Sequence, residues 1–131
     1  MDQRVSSIMR MLRAQELPAL SNLHAIVQQN IPKAKQKMSL KEIANEVGLS
    51  ESRARTLFKS DVGLTPGQYI KKLKIDAAAE IARDTYLRVA EIAAILGVND
   101  NSHFLRDFKK AYGMTLTKYR KLHQRRPEED E

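Results

Sequence analysis

Two rows of side chains recur in this chain at helical spacing: Ser52, Arg55, Thr56 and Lys59, and fifty residues later Ser102, Leu105, Arg106 and Lys109. Positions i, i+3, i+4 and i+7 share one face of an α-helix, so each row presents its side chains together. Arg53 flanks the first row, and Asn101 opens the helix that carries the second. Arginine can donate two parallel hydrogen bonds to guanine, and asparagine can pair with adenine in the same two-pronged way. Hydroxyls, or an apolar side chain such as Leu105, can meet a thymine methyl. The chemistry on offer is recognition of base edges. For Leu105 the plain alternative is ordinary surface, and for Arg55 and Arg106 it is a solvated or phosphate-facing charge.

Bond-making chemistry has no such support. The chain has no phosphate-cradling glycine loop, no paired catalytic acids and no activated nucleophile, and Ser102-His103 lacks the third group of a hydrolytic triad. No catalytic residue is predicted, and the chain is not read as an enzyme. His24, His103 and His123 are scattered with no cysteine and no spaced acidic partner, so neither a metal site nor a cofactor is expected.

The charge balance points to an anionic partner. Lys and Arg number 23 against 16 Asp and Glu, and four of those acids are the last four residues. Such an excess concerns partners rather than fold, and nucleic acid is its leading reading, ahead of an anionic membrane surface. Aromatic residues make up only 5%, with no Trp, which argues against a stacking platform for single strands. No run of apolar residues is long enough to cross a bilayer, and the N-terminus does not read as a signal peptide, so a cytoplasmic location and no membrane partner are expected.

The elements that must position the two rows are helices. Periodicity is helical throughout, and no segment alternates as a strand would. Val5, Ile8, Met9 and Leu12 line one face of a first helix, and a second is predicted from about residue 18 to 30, followed by a basic link at 33–37. Ser39-Leu40-Lys41-Glu42 is a capping box that starts a short helix ended by Gly48. Ser50 caps the helix of the first row, which runs to about Val62 before Gly63. Thr65-Pro66-Gly67-Gln68 opens a long helix to about Asp84. The pattern then repeats, with a short helix near 89–96, a turn at 97–100, a helix near 101–112, a break at Gly113 and a last helix from Leu116.

The repetition can be traced residue by residue. Glu42-Ile43-Ala44 and Gly48 return as Glu91-Ile92-Ala93 and Gly97 at an offset of 49. Phe58-Lys59, Gly63, Thr65 and Tyr69 return as Phe108-Lys109, Gly113, Thr115 and Tyr119 at an offset of 50. An alanine four residues before a glycine is what a helix-turn-helix needs, because a small residue lets the second helix cross closely and the turn takes a backbone that side chains dislike. In the first copy Ala54, Leu57 and Phe58 form the packing face, and in the second Phe104, Phe108 and Ala111. The predicted fold is all-α: two helix-turn-helix subdomains of three-helix, homeodomain-like character, joined by a linker helix. At 1.5 Å per residue that linker spans about 28 Å, comparable with the roughly 34 Å between successive major grooves on one face of DNA.

These residues resemble the DNA-binding domain of AraC/XylS-type bacterial transcription regulators. The likeness covers about Leu20 to Leu122. It is most specific in Val89-Ala90-Glu91-Ile92-Ala93, Gly97, Ser102 through Lys110, Tyr112-Gly113-Met114-Thr115 and Tyr119-Arg120. It implies a seven-helix domain that binds promoter DNA and usually activates transcription through contact with RNA polymerase. Val98, Leu116 and Ala54 depart from the pattern, where an aromatic residue, a proline and a larger aliphatic are usual, and Ala54 predicts a thinner first core with a looser reader helix.

The expected organisation is an extension or linker helix at 1–17, a first subdomain at 18–65, the linker helix at 66–84, a second subdomain at 85–124 and a disordered tail at 125–131. Ser52, Arg53, Arg55, Thr56, Asn101, Ser102, Leu105 and Arg106 are the base-reading candidates. Lys41, Lys59, Lys109 and Lys110, near helix ends or on outward faces, and the helix N-termini at Ser39, Thr65 and Thr115 are the candidates for phosphate. The apolar face of the first helix has three open roles: packing on the domain, pairing with another chain, or marking the stump of a missing domain. Oligomeric state stays open with it, a monomeric DNA-binding domain included. The alternative to base reading is a helical interaction module that docks an acidic protein.

Overall fold

The computed structural model describes residues 1–17 and 38–124. The helix expected at 18–30, the basic link at 33–37 and the tail at 125–131 lie outside the described residues. Among those described, the structure is all-helical: α1 (Gln3–Glu16), α2 (Leu40–Glu46), α3 (Glu51–Val62), α4 (Pro66–Asp84), α5 (Val89–Ile95), α6 (Asn101–Tyr112) and α7 (Leu116–His123). Two compact units divide the chain, Met1–Leu73 and Lys74–Glu131. The boundary falls within α4, whose first turns belong to one unit and whose remainder belongs to the other.

The first unit is built on α1, α2 and α3. Asp2 caps α1, its carboxylate accepting from the Arg4 backbone N–H at 2.8 Å, while its own N–H donates to Asp61 Oδ2 at the far end of α3 at 2.9 Å. Val5, Ile8 and Leu12 recur at spacings of three and four, so they share a face, and they are 0%, 0% and 4% exposed. They join Ile43, Ala44, Leu49, Ala54, Phe58, Tyr69 and Leu73 in one core, with α1 packed on α2 and α3. Of the three roles open to this apolar face, packing on the domain is the one observed. The chain re-enters beside α1, where the Met38 N–H donates to Gln15 Oε1 at 2.7 Å.

In the second unit, α7 grips the C-terminal end of α4. Arg120 Nε donates to the Ala82 carbonyl at 3.0 Å and Gln124 Nε2 to the Thr85 carbonyl at 2.8 Å, which satisfies acceptors that a helix end leaves open. Burial pushes the Arg120 guanidinium below its ordinary value, and its Nη2 is buried without a partner among the described residues. Phe108 is fully buried, stacked on Tyr112 at 4.5 Å and met edge-on by Tyr119 at 5.8 Å. The Tyr112 hydroxyl donates to Asp76 Oδ1 at 2.7 Å, and burial first, then this carboxylate, pushes the phenol well above its usual range.

The position of α1 carries a stability consequence. Ile8→Ala should lower the unfolding free energy by about 2–5 kcal/mol through lost burial and the cavity left behind. Met1→Ala, at a side chain that is 72% exposed, should change it by less than about 0.5 kcal/mol. Urea unfolding of the two variants checks this, and an Ile8→Ala effect as small as that of Met1→Ala would show that α1 adds nothing to the core.

Candidate nucleic-acid interface

Each row of candidate readers is aimed by the turn in front of it. Ser39 and Glu42 close a reciprocal cap, Ser39 Oγ accepting from the Glu42 N–H at 3.2 Å and Glu42 Oε1 accepting from the Ser39 N–H at 3.4 Å. After α2 the backbone turns through Gly48, at φ 74°, and the Leu49 N–H returns to the Ala44 carbonyl at 2.9 Å. Ser50 then caps α3 by accepting from the Arg53 N–H at 3.1 Å. The second unit repeats the turn with Gly97 at φ 68° and the Val98 N–H on the Ala93 carbonyl, also at 2.9 Å.

The start of α5 departs from the first copy. Arg88 stands at the cap and has no side-chain acceptor, so only the returning half of the box remains, Glu91 Oε1 accepting from the Arg88 N–H at 2.9 Å and from its Nε at 3.2 Å. The backbone bond first, and the guanidinium second, hold the Glu91 carboxyl below its ordinary value. At α6 the cap is Asp100, whose Oδ1 accepts from the His103 N–H at 3.0 Å.

On α3, Ser52, Arg53, Arg55, Thr56 and Lys59 are exposed, opposite buried Ala54 and Phe58. The Thr56 hydroxyl donates back to the Ser52 carbonyl at 3.0 Å, which leaves its oxygen lone pairs and methyl for a ligand. Arg55 Nη2 donates to Glu51 Oε1 at 2.7 Å. On α6, Asn101, Ser102, Arg106, Lys109 and Lys110 are exposed and Leu105 is half-buried. Ala111, expected on the packing face, is exposed instead: it lies one residue before the end of α6, where the packing of the last turn is carried by Tyr112. His103 Nε2 lies 3.4 Å from Asp107 Oδ2.

The phosphate candidates fall into two kinds. Lys41, Lys59, Lys109 and Lys110 are exposed, as helix-end or outward-facing lysines should be. Ser39, Thr65 and Thr115 are all caps: Thr65 Oγ1 accepts from the Gln68 N–H at 3.2 Å and Thr115 Oγ1 from the Lys118 N–H at 3.1 Å. Ser39 and Thr65 also commit their own N–H groups, the latter to Gln68 Oε1 at 3.0 Å. A phosphate at either end therefore meets the next N–H groups of the helix rather than the cap itself.

Sequence reasoning missed Glu51 and Asp107 as partners of reader-helix side chains. The signal was present in both cases, an acid and a base four residues apart on one helix. Among the described residues no group of three or more His, Asp or Glu is placed to hold a metal ion, and no described helix is long and apolar enough to cross a membrane.

Two helix-turn-helix units, each presenting an outward polar row on a basic chain, define a double helix-turn-helix DNA-binding module. Comparison with known proteins specifies it further. A family model described as a helix-turn-helix domain matches residues 36–122. A probable transcriptional regulator, LumQ of Photobacterium leiognathi, is 31% identical over 83 residues, 63% of this chain and 34% of that protein. The transcriptional activator RhaR of Mannheimia succiniciproducens is 31% identical over 105 residues, 80% of this chain and 37% of that protein. The crystal structure of an AraC-type regulator from Chromobacterium violaceum superposes with a TM-score of 0.71 at 19% identity, covering 92% of each chain. The chain belongs to the AraC/XylS-type family of DNA-binding transcription regulators. It spans about a third of the length of these curated relatives.

The half-cap at α5 has a measurable pH signature. The lowered Glu91 value in the folded state means that its contribution to stability is present above the ordinary value of 4.5 and is lost as pH falls through the lower folded value. Thermal unfolding should therefore separate wild type from Glu91→Gln at neutral pH and bring the two curves together in acid. A separation that persists unchanged into acid would contradict the charged cap.

Proposed function

We infer that this chain binds double-stranded promoter DNA sequence-specifically, with α3 and α6 entering adjacent major-groove segments. Ser52, Arg53, Arg55 and Thr56 read one segment, and Asn101, Ser102, Leu105 and Arg106 read the other. Ser39, Lys41, Lys59, Thr65, Lys109, Lys110 and Thr115 meet phosphates and fix the register. The observation that carries this reading is that each of two like-built turns is followed by a helix with exposed polar and basic side chains on its outward face, in a chain of net charge +7.

On this reading the chain acts in the cytoplasm, without catalysis, as the DNA-binding part of a regulator. Activation through RNA polymerase is the mode we favour, supported by the activator named among its relatives. A monomeric domain suffices for binding, since one chain carries two readers.

Selection from a random duplex pool is the test. It should enrich one motif with two half-sites about 10 base pairs apart. Arg55→Ala and Arg106→Ala should each weaken binding to that motif by about 1–3 kcal/mol and relax preference at one base pair. A uniform loss on all sequences would reduce both arginines to phosphate contacts, and no enrichment at all would overturn base reading. Affinity should also fall steeply as salt rises.

A further inference from the structure

Arg55 stands apart from the other candidate readers because an acid already holds it. Its Nη2 lies 2.7 Å from Glu51 Oε1 one helical turn earlier, and the two side chains keep 62% and 41% of their exposure. Stability does not explain the pair, because exposed pairs of this spacing add little in water. The second reader helix does not repeat the pair at these positions; its own contact of this spacing joins His103 to Asp107 at 3.4 Å. At an offset of 50, Glu51 corresponds to Asn101 and Arg55 to Leu105, and Arg106 has no ion-pair partner among the described residues.

We propose that Glu51 is a specificity-positioning residue, which holds the Arg55 guanidinium for a neutral base edge and keeps it off the phosphate backbone. The proposal rests on the reading of α3 as a base-reading helix. A phosphate approaching Arg55 meets the Glu51 carboxylate too, so the pair presents almost no net charge to the backbone. Guanine offers O6 and N7, which are uncharged acceptors that the carboxylate repels far less. Arginine carries five N–H donors and the contact with Glu51 uses one, so a two-pronged contact with guanine stays open. Holding one end of a long side chain before binding also reduces the freedom lost when the base is met. Nonspecific binding is thus weakened more than specific binding, and discrimination rises.

The full chain, its Glu51→Gln, Glu51→Asp and Arg55→Ala variants and the Glu51→Gln/Arg55→Ala double variant decide the matter. Two readouts are needed: the motif each protein selects from a random duplex pool, and the slope of log affinity against log salt on a duplex lacking that motif. Glu51→Gln should bind the motif-free duplex more tightly, with a slope steeper by about 0.9 as Arg55 neutralises one more phosphate. Its preference at one base pair of the Arg55 half-site should fall about fivefold or more, while the Arg106 half-site is unchanged. In the Arg55→Ala background the same change should not steepen the slope. Glu51→Asp keeps the charge and should keep the wild-type slope.

An unchanged slope and an unchanged motif in Glu51→Gln would overturn the proposal, as would a steepened slope in Glu51→Asp. If wild type enriched no motif, the base-reading function itself would fall. That result is distinct from an enriched motif that Glu51→Gln leaves intact, which removes the role of Glu51 alone.

Discussion

A left-handed glycine two residues past the end of a short helix decides where each candidate reader helix goes. Gly48 and Gly97 adopt φ values of 74° and 68°, and in each case the next N–H returns 2.9 Å to the carbonyl of an alanine in the preceding helix. Side chains disfavour that backbone because their Cβ crowds the carbonyl that follows. Space is not the reason for glycine here: a Cβ built at either position meets no atom within 4 Å. The demand is purely conformational. The alanines complete the device, since Ala44 and Ala93 are 0% and 2% exposed and their small side chains let helices come close. The reader rows depend on this turn, because a different exit angle would carry Phe58 and Phe108 out of their cores and roll the polar face inward.

Each unit then closes in the same way with different materials. Phe58 and Tyr69 meet edge-on at 5.4 Å, and their counterparts Phe108 and Tyr119 do so at 5.8 Å. The position of Val62 is taken in the second copy by Tyr112, which stacks on Phe108 and bonds to Asp76. The first unit draws instead on Val5, Ile8 and Leu12 from α1. This also bears on Ala54, a small side chain in a place where a larger one would fill space: it is completely buried in the core that α1 helps to form. Helix α4 has two duties. Its start, capped by Thr65, gives Tyr69 and Leu73 to the first core, and its end is the element that Arg120 and Gln124 hold in the second unit.

Local rules made most of this visible in the sequence. Caps at Ser39, Ser50, Thr65 and Thr115 and stops at Gly48, Gly63, Gly97 and Gly113 are short-range signals, and the helices begin and end beside them. What escaped was tertiary. The apolar stripe of α1 says that something must cover it, but not what, because burial is non-directional. Ala111 lies on the expected packing face yet at the last turn of its helix, and periodicity alone cannot tell how far along a face the neighbouring layer extends. Arg88 at a cap gave no signal of its own, since arginine cannot accept a hydrogen bond. The legible mark there was Glu91, the repeat of Glu42. The interface was readable as rows but not as pairs: the spacing of Glu51 and Arg55 permits a bond, while only the side-chain geometry shows it made.

Likeness of scaffold and unlikeness of surface together shape the proposed mode of reading. At an offset of 50, Ser52 corresponds to Ser102 and Lys59 to Lys109, but Arg55 corresponds to Leu105, Thr56 to Arg106 and Arg53 to His103. The shared residues are small or basic, suited to close approach and phosphate contact. The unshared ones differ in what they can offer a base edge, from the two-pronged donor of an arginine to the apolar side chain of Leu105. A dimer of identical chains repeats one surface and therefore favours symmetric half-sites. A duplicated unit within one chain is released from that symmetry, because each copy can change its outward row while its turn and aromatic pair stay fixed. The energetic coupling between scaffold and row is weak, since the row is solvated and adds little to the core. That separation lets one unit carry an arginine paired with an acid, and the other an arginine with no ion-pair partner among the described residues, without cost to either fold.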